Sequence, residues 1–195
     1  MWDLSEFAKE VHQNAVDKGW WQEECNFDQV IALCHSELSE ALEEYRAGRP
    51  MLWYACGVDK AVCVGAKCEY YGSDGECDYK KDKPEGIAVE MVDCLLRILD
   101  YAGKCGWECK FRSRKAWREH KTELPGVIAE LHASLSTAWG MGRVEMVSVD
   151  RWMLDCAEKI INWLQYNYGE NWMELLELKH EYNRIREYRH GGKKI

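Results

Sequence analysis

Two carboxylate pairs carry the chemistry in this sequence. Glu37 and Glu40 lie in His35-Ser36-Glu37-Leu38-Ser39-Glu40-Ala41-Leu42-Glu43-Glu44, and Glu90 and Asp93 lie in Ala88-Val89-Glu90-Met91-Val92-Asp93. Residues i and i+3 share a helix face, so each pair aims its oxygens in one direction. The neighbours at helical spacing are apolar: Ile31, Leu38, Ala41 and Leu42 in one segment, Val89, Val92, Leu96 and Leu99 in the other. Packed antiparallel, the two helices would bring four carboxylates together, at a heavy cost unless cations neutralise them. Hard oxygen ligands that keep bound water suit Mg²⁺ or Mn²⁺. The competing reading is two amphipathic helices with ordinary surface acids.

The elements that must position these groups are helical. Leu4, Phe7, Ala8, Val11 and Ala15 give a first helix that Gly19 ends. Asn26 is the expected N-cap of a second helix, with Asp28 in its first turn, running to Arg46 and stopping at Gly48-Arg49-Pro50. Pro84 is expected to open a third, to about residue 102, with Gly103 as its stop. Further helices are expected near 108–120, 125–140, 149–168 and 170–187. Strand alternation is nearly absent, so the fold class is all-α: a helical bundle in one domain over residues 1–195, with an insertion at 51–83.

An internal echo runs through the chain. Val30-Ile31-Ala32-Leu33-Cys34-His35-Ser36-Glu37-Leu38-Ser39-Glu40-Ala41 is matched by Val127-Ile128-Ala129-Glu130-Leu131-His132-Ala133-Ser134-Leu135-Ser136-Thr137-Ala138, and Asp93-Cys94 by Asp155-Cys156. The carboxylates do not recur: Ser134 and Thr137 stand opposite Glu37 and Glu40. Either residues 122–168 are a degenerate second hairpin, or two helices of similar periodicity agree by chance.

The order of these motifs resembles the MazG-like all-α nucleoside triphosphate pyrophosphohydrolases, whose pattern is Glu-Glu-x-x-Glu followed by Glu-x-x-Asp on the next long helix. Glu37 and Glu40 fall on the second and third glutamates; Ser36 stands at the first, and Glu44, one turn past Glu40, is the compensating candidate. Lys18-Gly19-Trp20-Trp21 also fits, as does the C-terminal run Lys179-His180-Glu181-Tyr182-Asn183-Arg184-Ile185-Arg186 with its His190-Gly191-Gly192-Lys193 tail. The resemblance implies hydrolysis of a nucleoside triphosphate to monophosphate and pyrophosphate, in nucleotide-pool house-cleaning. Glu37, Glu40, Glu90 and Asp93 would hold Mg²⁺, and one of them, or Glu44, would serve as general base. Lys179, Arg186 and Lys193 are the phosphate-clamp candidates, with Asn183 as a neutral donor; the same cations would also suit a basic helix end. Trp20 and Trp21 are candidates for a base slot or for core packing. A homodimer is implied as well, unless the echoed hairpin supplies the second half within one chain.

Other classes are bounded by composition. Net charge is −8, with 47% apolar and 31% charged residues and three prolines. That balance argues against general nucleic-acid binding, which needs a basic face. The segment Met1-Trp2-Asp3-Leu4-Ser5-Glu6 lacks a signal peptide's basic and apolar regions, and no apolar run approaches the ~18 residues needed to cross a bilayer. A cytoplasmic protein without membrane contact is expected. Di-iron carboxylate bundles use Glu-x-x-His pairs, and here i+3 carries carboxylates. A MazG-like protein that binds nucleotide without turnover is the alternative function. Of ten cysteines, Cys34, Cys94 and Cys156 read as buried hydrophobes. Cys56, Cys63, Cys68 and Cys77 in the insertion leave structural Zn²⁺, free thiols and disulfides open, without the tight Cys-x2-Cys of common zinc sites.

Overall fold

Among the described residues, six helices form the body of the fold: α1 (Ser5–Asp17), α2 (Phe27–Arg46), α3 (Ile87–Cys105), α4 (Leu124–Gly142), α5 (Asp150–Asn167) and α6 (Trp172–Ile185). The computed structural model describes residues 1–23, 26–55, 62–63, 83–113, 123–144 and 148–189. The described residues also include five short strands: β1 (Trp2–Asp3), β2 (Trp53–Ala55), β3 (Val62–Cys63), β4 (Pro84–Glu85) and β5 (Lys110–Phe111). The mostly helical class read from the sequence is therefore observed. None of the described helices is long and apolar enough to cross a membrane.

Helix α3 is the axis of the fold, packing against α1, α2, α5 and α6. Its sequence explains this, because Ala88, Val89, Met91, Val92, Cys94, Leu95, Ile98, Leu99 and Ala102 are fully buried. A helix apolar on nearly every side is stable only when surrounded. Each fully buried Leu or Ile contributes roughly 2 kcal/mol. Around it, α2 packs on α3 and α4, and α4 packs on α5, so α2–α3 and α4–α5 form a four-helix arrangement. Asn26 caps α2 with a capping box, its side chain accepting from the Gln29 amide at 2.9 Å and its own amide donating to Gln29 Oε1 at 2.9 Å.

Three expectations are corrected. Gly103 does not stop α3, which runs to Cys105 and ends on the left-handed Gly106. Gly103 is where α1 crosses, and a Cβ there would collide with the carbonyl of Ala8. The helix expected near 108–120 fails at its start, since Lys110–Phe111 is a strand paired antiparallel with Trp2–Asp3; residues 114–122 lie outside the described residues. Pro84 does not open α3 either. It sits in β4, and the first amides of α3 are capped from outside, Ile87 donating to the Pro50 carbonyl at 3.4 Å and Ala88 to that of Met51 at 3.0 Å. Gly86, at φ 120°, allows this approach because a Cβ would meet both carbonyls.

β2 pairs with both β3 and β4, Trp53 opposite Glu85 and Tyr54 opposite Pro84, so the two ends of the insertion are joined beside the α2–α3 hairpin. Cys56, Cys68 and Cys77 lie outside the described residues, and Cys63 contributes backbone to β3. Cys34, Cys94 and Cys156 are buried free thiols.

The echoed stretches meet in space. His35 on α2 and His132 on α4 stack at 4.9 Å and 15°, their Nδ1 atoms 2.6 Å apart. Residue 35 thus touches its own counterpart, the contact a two-fold relation produces. Second-hairpin Lys159 binds Ser134 Oγ at 2.9 Å, as Arg97 binds Glu37 in the first hairpin. The histidine pair has a pH consequence. One Nδ1 donates only if the other accepts, so double protonation breaks the contact. Burial lowers both pKa values, with mutual repulsion adding at His35. The folded state then binds fewer protons than the unfolded one, and this contribution to stability, present above about pH 6.5, is lost as pH falls. The acid-side drop in melting temperature between pH 7 and 5.5 should be smaller in His132→Gln than in wild type, by an amount equivalent to about 1 kcal/mol after solvent screening. Parallel melting curves for the two proteins would contradict this.

Candidate functional site

A cleft of about 280 Å³ lies between α1, α2, α3 and α6. One stripe of α3 supplies its floor, with Glu90, Asp93, Arg97 and Asp100 at i, i+3, i+7 and i+10. The facing wall is α2, with Ser36, Glu37 and Glu40. Glu37, Glu40 and Glu90 each bring one carboxylate oxygen to within 4.8 Å of the others. Glu37 and Glu90 are buried, whereas Glu40 is exposed.

Burial first, and then the charge of Asp93, push the Glu90 carboxyl up to about 8, with Lys179 and Lys83 pulling the other way. Glu37 is raised for the same two reasons, opposed by Arg97. Burial disfavours the ionised form of both groups, and the neighbouring carboxylates add to that cost. The donor set, three convergent carboxylates with one open to solvent, fits a hard divalent cation that keeps water. Ser36 contributes a hydroxyl rather than a ligand here, donating to Glu40 Oε1 at 3.2 Å.

The fourth carboxylate is held differently. Asp93 Oδ2 is 2.8 Å from Lys179 Nζ, which is 1% exposed and also lies 3.5 Å from the Pro84 carbonyl. Lys179 is thus the buried counter-ion of Asp93, and its ammonium is not presented to the cleft as a phosphate clamp. Asn183 and Arg186, farther along the same run, do line the cleft; Lys193 lies outside the described residues. Glu44 is outside the cluster, its Oε2 accepting from Trp53 Nε1 at 2.6 Å.

The two tryptophans separate. Trp20 lines the cleft, while Trp21 backs it, its Nε1 3.0 Å from Asp100 Oδ1 and its ring edge-on to His12 at 5.2 Å. His12 Nδ1 lies 2.8 Å from the same oxygen. Lys18-Gly19-Trp20-Trp21 meets the C-terminal run directly. Lys18 Nζ donates to the Arg186 carbonyl at 2.6 Å, Arg189 Nε donates to the Gly19 carbonyl at 3.1 Å, and the Tyr188 hydroxyl donates to Gln22. Gly19, at φ 80°, has the Tyr188 ring where a Cβ would stand.

Sequence reasoning missed three cleft residues. Arg97 donates from Nε and Nη2 to Glu37 Oε1 at 3.2 and 3.1 Å. Lys83 pairs with Glu85 at 2.8 Å; burial disfavours its charge, but Glu85, Glu90 and Asp93 outweigh that and raise its pKa. Asp100 is raised by burial, against the hydrogen bond from His12. The i+7 and i+10 extension of the Glu90–Asp93 face was the available signal for Arg97 and Asp100.

No protein-family model matches this chain, and no curated protein or solved structure matches it.

Proposed function

We propose that the protein is a divalent-cation-dependent nucleoside triphosphate pyrophosphohydrolase, releasing monophosphate and pyrophosphate. The observation that carries this reading is the convergence of Glu37, Glu40 and Glu90 in a cleft that also holds Arg97 and Arg186. Glu37, Glu40 and Glu90 would hold Mg²⁺ or Mn²⁺, with Asp93 beside them. When bound, that cation neutralises phosphate charge and lowers the pKa of a coordinated water. Arg97, released from Glu37, would present its planar donors to the phosphates. Arg186 and Asn183 would bind the tail from the far wall. Glu40, solvent-facing and steadied by Ser36, has the access that proton removal from attacking water requires.

The decisive measurement is a panel of ribo- and deoxynucleoside triphosphates with Mg²⁺, products separated. Pyrophosphate, lost on chelation, is the expected result; inorganic phosphate alone would overturn the reading. Arg186→Ala should raise KM roughly tenfold, since a charge-assisted hydrogen bond contributes about 1.5–3 kcal/mol. An unchanged KM would remove Arg186 from the phosphate site.

One observation favours the second reading, a nucleotide-binding protein without turnover: Lys179 already neutralises Asp93. Tight nucleotide binding without pyrophosphate release would select it. The self-paired His35–His132 contact also favours a second half supplied within the chain over a homodimer.

A further inference from the structure

We propose that Asp100 selects the base, accepting a hydrogen bond from the exocyclic amino group of a cytosine- or adenine-type nucleotide. The inference deepens the nucleotide reading above and rests on it.

Glu37, Glu40 and Glu90 gather at one end of the α3 stripe and Asp100 stands at the other, and Val11, Ala15, Leu33, Leu96 and Trp20 are among the residues that line the cleft with them. Asp93 and Asp100 are separated by seven helical residues, about 10 Å of axial rise. That matches the reach of a nucleotide from its phosphates to the far edge of its base. A nucleoside laid along the floor with its phosphates at the acidic end meets Asp100 with its base.

Asp100 is built to accept. Its Oδ1 takes His12 Nδ1 at 2.8 Å and Trp21 Nε1 at 3.0 Å, and the same indole N–H reaches Oδ2 at 3.2 Å. These two donors orient the carboxylate, and Oδ2, which takes only the longer contact from Trp21, keeps lone-pair capacity to spare. The side chain is 18% exposed, so what remains accessible opens to the cleft it lines. An amino group presented there gains a charge-assisted hydrogen bond. A keto oxygen in the same place faces an acceptor with an acceptor and loses its own water. Sites that hydrogen-bond a substrate group reject analogues lacking it, because buried polar groups are left unpaired.

Two pairs of monophosphates differ chiefly in this group: dCMP against dUMP, and dAMP against dIMP. With Mg²⁺, titration calorimetry on the wild-type protein should give a Kd for the amino member about tenfold lower in at least one pair. Asp100→Asn, which keeps the shape but adds a donor, should bring that ratio to within about twofold. Equal affinities in wild type, no measurable binding of any of the four, or a ratio that survives in a folded Asp100→Asn would overturn the assignment. The wild-type ratio is informative even if the variant does not fold. Amino selectivity that depends on Asp100, with no pyrophosphate formed from any triphosphate, would sustain the base contact while ending the hydrolase reading.

Discussion

Glu90→Gln is expected to lose Mg²⁺-dependent hydrolysis and, at the same time, to make the metal-free protein harder to unfold above pH 8. The two effects share one cause. Glu90 is 3% exposed beside Asp93 and Glu37, so its ionised form is costly and its carboxyl is raised to about 8. A carboxyl with a higher pKa folded than unfolded holds a proton that the unfolded chain has released. Its contribution is therefore full below the unfolded value near 4.5 and is lost as pH rises through about 8. Removing the charge should recover on the order of 3 kcal/mol at pH 8.5, as an upper range, and almost nothing at pH 5. The same linkage predicts proton release when Mg²⁺ binds near neutral pH, readable by calorimetry in two buffers of different ionisation enthalpy. Urea melts of metal-free wild type and Glu90→Gln that run parallel from pH 5 to 8.5 would show that Glu90 is not strained by burial. Retained turnover would remove it from the cation site.

Lys179→Ala should act first on stability and only through that on catalysis. Its ammonium is 1% exposed and has Asp93 at 2.8 Å, so truncation leaves a half-buried carboxylate without its counter-ion. Breaking a buried pair from one side typically costs about 3–5 kcal/mol. Lys179→Met combined with Asp93→Asn should restore much of the loss, because neither group then carries an uncompensated charge. Denaturant midpoints for the single and double variants test this. A Lys179→Ala protein with an unshifted midpoint and a KM raised tenfold would return Lys179 to the phosphate clamp.

That reassignment was partly legible in the sequence. Trp172, Leu175, Leu176, Lys179 and His180 form one i, i+3, i+4, i+7, i+8 stripe, and all five are buried. A lysine on the apolar stripe of a helix is a candidate buried charge, whereas charge type alone suggests a phosphate ligand. Arg97 and Asp100 were similarly available as the continuation of the Glu90–Asp93 face.

The sequence by itself determined what depends on local periodicity and capping. It set the helical class, the α2 cap at Asn26, the burial of Cys34, Cys94 and Cys156, and the shared face of each carboxylate pair. Tertiary structure alone decided what depends on which helices touch. Gly103 is a helix crossing instead of a stop because α1 lies against it, a contact without local signature. Lys110–Phe111 is a strand because Trp2–Asp3, more than a hundred residues earlier, offers it a partner. Asp93 is paired with Lys179, while Glu37, Glu40 and Glu90 converge, because α6 and α2 both pack on α3 and bring different charges to it. Spacing fixes where a side chain points around its own helix; the charge that meets it is set by packing.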